Sequence, residues 1–290
     1  MKKKKLLSPD EITDALIEVG IKKVRRSNLQ MLFLGILAGA FIALGAYASN
    51  MVIHDMNGNY GLLKFVQGAV FPVGLILVLV AGADLFTGNS LIFVSFLEGK
   101  VTLNDMLKNW ILIYIGNFIG SIAFAWLVYK SGLFAASGGK LGALHVKIAA
   151  GKTSLPFIQA MIRGILANFV VCLAVWMGIG AKDMIGKVFA SWFPIMAFVA
   201  GGFEHSIANM YYIPAGLFAK GEFTEVINIS HQQMAQLNWI GFINNLIPVT
   251  LGNIIGGSIF VGTIYWVIFK YQANEQNIID SSTTIKTETS

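Results

Sequence analysis

The chain has 290 residues, of which 56% are hydrophobic and only 12% charged, with 31 glycines and a mean hydropathy of +0.68. A soluble domain of this length could not hold that composition in water, so a membrane protein is expected and a soluble enzyme is excluded. The formal charge of +6 is first a topology signal, and nucleic-acid binding is a poor reading of it.

In chain order, the first residues, with Lys2 to Lys5, are too polar for a signal peptide and show no cleavage site, so the first span is expected to be retained. Ser8-Pro9-Asp10-Glu11 reads as an N-cap with Pro at N1 and Glu at N3. It opens an amphipathic helix through Ile12, Leu16 and Ile17 toward Val24, expected to lie at the membrane surface. Six apolar stretches then reach the roughly 20 residues needed to cross a bilayer. They run from Met31 to Ser49, Phe65 to Phe96, Trp110 to Tyr129, Phe157 to Trp176, Val188 to Phe218 and Ile243 to Phe269. An even count puts both termini on one side. Lys64, Lys130, Lys140, Lys147, Lys152 and Lys220 fall on the other, and apart from Arg163 inside a span every remaining cation, including Lys286, falls with the termini. That bias predicts cytoplasmic termini in a multi-pass protein of the cytoplasmic (inner) membrane.

The expected organisation is therefore a cytoplasmic amphipathic segment over 1–28, a six-helix transmembrane domain over 29–272 and a polar cytoplasmic tail over 273–290. Within the membrane domain three strings recur in the same order. Gly35-Ile36-Leu37-Ala38 echoes Gly164-Ile165-Leu166-Ala167, Phe71-Pro72 echoes Phe193-Pro194, and Gly116-Asn117-Phe118-Ile119-Gly120 echoes Gly252-Asn253-Ile254-Ile255-Gly256. The fold class predicted is an all-α membrane protein of two inverted three-helix repeats, over about 29–130 and 156–270, since a half with an odd number of spans must re-enter from the opposite face. The Gly-x-x-x-Gly spacings are expected to let helix backbones approach closely, and Asn117 and Asn253 to bond across helices.

Helices 2 and 5 are too long for one straight crossing, and each is interrupted by a polar patch, Ala81 to Asn89 and Gly201 to Asn209. Broken backbone survives at membrane depth only where protein buries it or a cavity hydrates it, so paired breaks point to a permeation site. Asp84, Glu204 and Asn209 are expected to steady the breaks, the carboxylates through backbone N–H bonds. His205 is read as the one histidine within a span, with His54, His145 and His231 in loops, and as a proton or hydrogen-bond donor beside the break. Cys172 stands alone in the sequence, so no intramolecular disulfide is possible; no metal or cofactor is implied. No His-Glu-x-x-His, cysteine pair or Ser/His/Asp set lies within the spans, which argues against a membrane enzyme.

The strings Gly-Ala-Asp-Leu-Phe-Thr-Gly-Asn at 82–89, Gly-Ile-Leu-Ala-Asn at 164–168 and Gly-Phe-Glu-His-Ser-Ile-Ala-Asn-Met at 202–210 resemble those of the formate/nitrite transporter family. The resemblance runs from the amphipathic segment to the end of helix 6. It implies a homopentamer in membrane lipid with an aquaporin-like pore in each protomer, although the Asn-Pro-Ala boxes of aquaporins are absent. It also implies a cytoplasmic constriction at Leu85 and Phe198, an outer one at Phe71 and Leu75, and His205 between them facing Thr87. Asn168 is placed near the same chamber and Lys152 on the outer side, where it would draw in the anion. The implied substrate is a small monovalent anion of a weak acid. Asn245-Leu246-Ile247-Pro248-Val249-Thr250 and the acidic N-terminal segment are more similar to the formate branch, with nitrite or hydrosulfide as the alternative.

Overall fold

The computed structural model describes residues 6–224 and 229–272, so the expected tail over 273–290 and the lysines at 2–5 and 286 lie outside the described residues. The described chain is almost wholly helical. Helix α1 (Pro9–Val24) is capped as its sequence predicts, the Ser8 N–H donating to Glu11 Oε2 at 2.8 Å. It does not stand apart as a surface helix. Ile12, Leu16 and Ile17 are buried in the common core, and the Ile17 carbonyl accepts a hydrogen bond from Ser95 Oγ at 3.0 Å. An apolar stripe fits a protein groove as well as a lipid surface, and here the groove takes it.

Five continuous helical runs are long and apolar enough to cross a membrane: Asn28–Ile53, Tyr60–Gly82, Leu103–Lys130, Phe157–Gly180 and Trp239–Tyr271. The stretch expected from Val188 to Phe218 is two shorter helices, α10 (Met184–Ala200) and α11 (Ser206–Ala219), parted at the expected break. The second run is also irregular. Helix α3 (Tyr60–Val70) gives way at Phe71-Pro72, where proline has no N–H to donate, and resumes as α4 (Val73–Leu77) followed by a π-helical turn over Val78–Gly82. The chain then runs extended through Ala83 to Leu85 before helix α5 (Phe86–Asn89) and helix α6 (Ile92–Leu97). Pro194, by contrast, sits inside continuous α10, so the two Phe-Pro strings are not equivalent positions.

The glycine motifs pack within the chain. Helix α2 (Asn28–Ile53) crosses α7 (Leu103–Lys130) so closely that a methyl on Gly35 would meet the Ile113 carbonyl at 2.9 Å and Gly116 Cα at 3.1 Å. The same crossing recurs between α9 (Phe157–Gly180) and α13 (Trp239–Ile254), where a methyl on Gly164 would meet the Val249 carbonyl at 2.7 Å. Between the halves lies α8 (Ala136–Thr153), whose start is tied to the end of α2 by His54 Nε2 and Ser137 Oγ at 2.9 Å. Helix α2 is about 39 Å long at 1.5 Å per residue, so α1 and α8 sit at opposite ends of the bundle. His145 is not in a loop: it is fully buried in α8, 3.1 Å from the Tyr211 hydroxyl.

Candidate functional site

Each interruption opens on a glycine with positive φ, Gly82 at +89° and Gly202 at +68°, a conformation that side-chain-bearing residues rarely adopt. Backbone groups released there are met by protein, by matching contacts at the two breaks. The Asp84 N–H donates to the Leu34 carbonyl at 3.1 Å, and the Glu204 N–H to the Arg163 carbonyl at 3.2 Å. Asn117 donates its amide to the carbonyls of Gly35 (2.8 Å) and Asp84 (3.0 Å) and accepts from the Phe86 N–H at 2.9 Å. Asn253 donates to Gly164 (2.8 Å) and Glu204 (3.1 Å) and accepts from the Ser206 N–H at 2.9 Å. In low dielectric an unmet backbone group costs several kcal/mol, which is why one amide side chain serves each break.

The carboxylates do other work than the backbone bonding expected of them. Asp84 pairs with Lys23 Nζ at 2.9 Å and with Arg26, both from the α1 end. Glu204 pairs with Lys152 Nζ at 2.8 Å at the α8 end. Asn209 steadies Glu204, donating to its Oε2 at 2.6 Å and to Asn245 Oδ1 at 2.7 Å. Asn89 takes the matching place, accepting from Lys23 Nζ at 2.5 Å and donating to Asn109 Oδ1 at 2.8 Å. Lys152 is therefore half of a nearly buried ion pair and not a free outer cation.

The sequence reading missed Lys23, Arg26, Asn89, Asn109 and Asn245. The signal was present, because the 129-residue spacing from Gly35 to Gly164 also carries Lys23 onto Lys152. Likewise the 136-residue spacing from Asn117 to Asn253 carries Asn109 onto Asn245.

Where the breaks approach, His205 Nε2 lies 2.8 Å from Thr87 Oγ1, both side chains buried. His205 Nδ1 accepts the Ala208 N–H at 3.1 Å, capping α11 with a ring nitrogen. A nitrogen that accepts carries no proton, so the neutral ring holds its hydrogen on Nε2, toward Thr87. Asn168 is fully buried beside Thr87. Its amide donates to the carbonyls of Thr87 (3.2 Å) and Asn253 (2.6 Å), joining the first break to helix α13.

Toward the α8 end a cavity of about 480 Å³ descends to His205. Its charged lining among the described residues is Lys64, Lys147, Lys152, Arg163 and the single carboxylate Glu204, an excess of positive charge. Phe71 and Phe198 line it together, edge to face with ring centroids 5.8 Å apart, and Phe198 meets the His205 ring at the same distance. Phe71 and Phe198, expected at different constrictions, thus meet as one aromatic pair drawn from both halves. Leu75 and Leu85 are buried and lie outside this cavity's lining. The two rings meet because the helix bend at Pro72 ends α3 beside the last turns of α10.

Interrupted apolar helices, closed by buried amides and meeting at one histidine beneath a cationic cavity, define a multi-pass membrane protein of the transport class. The chain belongs to the formate/nitrite transporter family, whose description, "Formate/nitrite transporter", matches residues 10–267. It is 40% identical over 271 residues to the formate channel FocA of Escherichia coli (strain K12), covering 91% of this chain and 95% of that protein. It is 42% identical over 264 residues to the uncharacterized transporter YrhG of Bacillus subtilis (strain 168), covering 90% and 93%. The solved structure described as a pentameric formate channel with formate bound superposes with a TM-score of 0.74 at 38% identity, over 83% of this chain and 97% of that one.

Proposed function

We propose that the chain conducts small monovalent anions of weak acids, formate foremost, across the cytoplasmic membrane as a homopentamer with one passage in each protomer. The observation that carries this reading is the His205–Thr87 contact at 2.8 Å, at the foot of a cavity whose lining is mostly cationic. Formate is favoured by the likeness to the formate channel FocA and to the solved formate channel, and the family description adds nitrite. Six spans in two inverted repeats, both termini cytoplasmic, and no chemical change to the cargo complete the proposal.

Excess positive charge raises the local anion concentration in the outer cavity. Phe71 and Phe198 then form the outer constriction, with Leu75 and Leu85 as the inner one. A bare anion between such apolar rings would lose its hydration at a cost of many kcal/mol. The same penalty raises the proton affinity of a weak-acid anion, which gains a proton from cavity water as it is desolvated. His205 and Thr87 offer hydrogen bonds to the permeant at this point. A second ring proton would have to break the Ala208 cap, so the histidine acts as a neutral donor and the proton travels with the cargo.

Purified protein in liposomes holding a pH-sensitive dye tests this directly: formate uptake is expected to carry one proton inward per formate, without charging the membrane. Unchanged pH-dependent uptake in His205→Phe would overturn the role given to the histidine.

A further inference from the structure

Helix α3 presents Lys64, Gln67 and Phe71 to the cavity at the i, i+3, i+7 spacing of one helical face. At 1.5 Å per residue, Lys64 and Gln67 stand roughly 10 Å and 6 Å above the aromatic pair. The Lys64 charge is placed differently from those of the other lining cations. Lys152 is spent on Glu204, while Lys147 and Arg163 are exposed at the rim. Lys64 is half-buried and has no carboxylate partner among the described residues; its Nζ donates to Gln67 Oε1 at 3.2 Å. Gln67 is buried, and its Nε2 donates to Asn50 Oδ1 at 3.1 Å. Asn50 Nδ2, behind it, is buried with no hydrogen-bond partner among the described residues.

We propose that Lys64 and Gln67 form an anion-binding station above the constriction, deepening the channel reading on which it rests, and that Gln67 reaches it by turning over its amide. In the arrangement seen, Gln67 shows an acceptor to Lys64 and leaves an Asn50 donor unused. Rotating both amides by half a turn gives the Asn50 NH2 the Gln67 carbonyl oxygen as its partner. The Gln67 NH2 then faces the cavity beside the Lys64 ammonium, and only an anion between them satisfies both donors. A planar oxyanion such as a carboxylate or nitrite, accepting from both, is the ligand this pair fits. A bare halide accepts equally from every direction and gains less from the flat amide. Gln67 and Lys64 thereby strip part of the hydration shell immediately before Phe71 and Phe198.

The experiment is formate uptake into liposomes as a function of formate concentration. Lys64→Met and Gln67→Glu are each expected to raise the half-saturating formate concentration about tenfold, the change expected for losing one charge-assisted contact. The Gln67→Glu carboxylate fixes an acceptor on Lys64 and closes the station. A variant altered only after assembly guards against folding defects. Lys64→Cys, reconstituted and then treated with an aminoethyl methanethiosulfonate, is expected to recover most of the lost affinity, and with a sulfonate reagent to lose more. The one other thiol, Cys172, is fully buried, so the background is low. Wild-type flux with unchanged half-saturation in Lys64→Met and Gln67→Glu would overturn the station alone. Absence of wild-type flux would overturn the channel reading and the station with it.

Discussion

Asn117 and Asn253 each hold two backbone groups of a break and one carbonyl of the neighbouring helix, and no charged residue could replace them at that depth without a partner. Replacing either by Ala strands one carbonyl and one N–H of the break and cuts its tie to the neighbouring helix. At about 1–3 kcal/mol for each unsatisfied group, thermal unfolding in detergent is expected at a markedly lower temperature. The ion pairs make a sharper prediction. Lys152→Gln leaves Glu204 buried and uncompensated, a loss of roughly 3–5 kcal/mol, and Glu204→Gln in the same chain is expected to recover much of it. A Lys152→Gln protein that melts like wild type would show that the pair contributes little to the fold. At the constriction, Phe198→Ala removes one ring of an edge-to-face pair and is expected to raise small-anion flux in liposomes; unchanged flux would place the narrowest point elsewhere. Of these residues, His205 and the two acids were legible because ionisable groups in an apolar run have few uses. Their partners were not, since Lys23 and Asn109 look like ordinary surface polar residues until the fold brings them in.

Among the elements, helix α1 changes most between sequence and structure. Its stripe of Ile12, Leu16 and Ile17 reads as membrane-surface helix, yet it plays at one end of the bundle the part that α8 plays at the other. Both deliver a lysine to the carboxylate of a break, 2.9 Å from Asp84 and 2.8 Å from Glu204. Lys23→Gln combined with Arg26→Gln is expected to speed hydrogen exchange through α1 and through Ala83 to Leu85, while α8 stays protected. Equal protection in both proteins would mean that apolar packing alone docks α1. The helix breaks were legible because Gly82 and Gly202 interrupt apolar runs with polar residues behind them. Their internal geometry was not, as the placing of Pro72 at a bend and Pro194 within a helix shows.

For the whole molecule, an amide holding the backbone and a lysine paired with the carboxylate recur at both breaks. The cavity at the α8 end inherits its charge from residues of α3, α8 and α9, which only the folded bundle brings together. A homopentamer is expected by native mass spectrometry of the detergent-solubilised protein, and a monomer would remove the assembly from the proposal.

The sequence by itself determined that this chain lives in a membrane, that it repeats, and that its helices break at two polar patches around one histidine. Composition, period and the rarity of ionisable residues in apolar runs are properties of the chain, readable in any conformation. Only the tertiary structure decided that Lys152 answers to Glu204, that Phe71 faces Phe198, and that Asn117 and Asn253 close the breaks. Those pairings depend on which helix faces cross and how far apart they stand, and residues 31 to 127 positions apart acquire that relation only when the backbones meet.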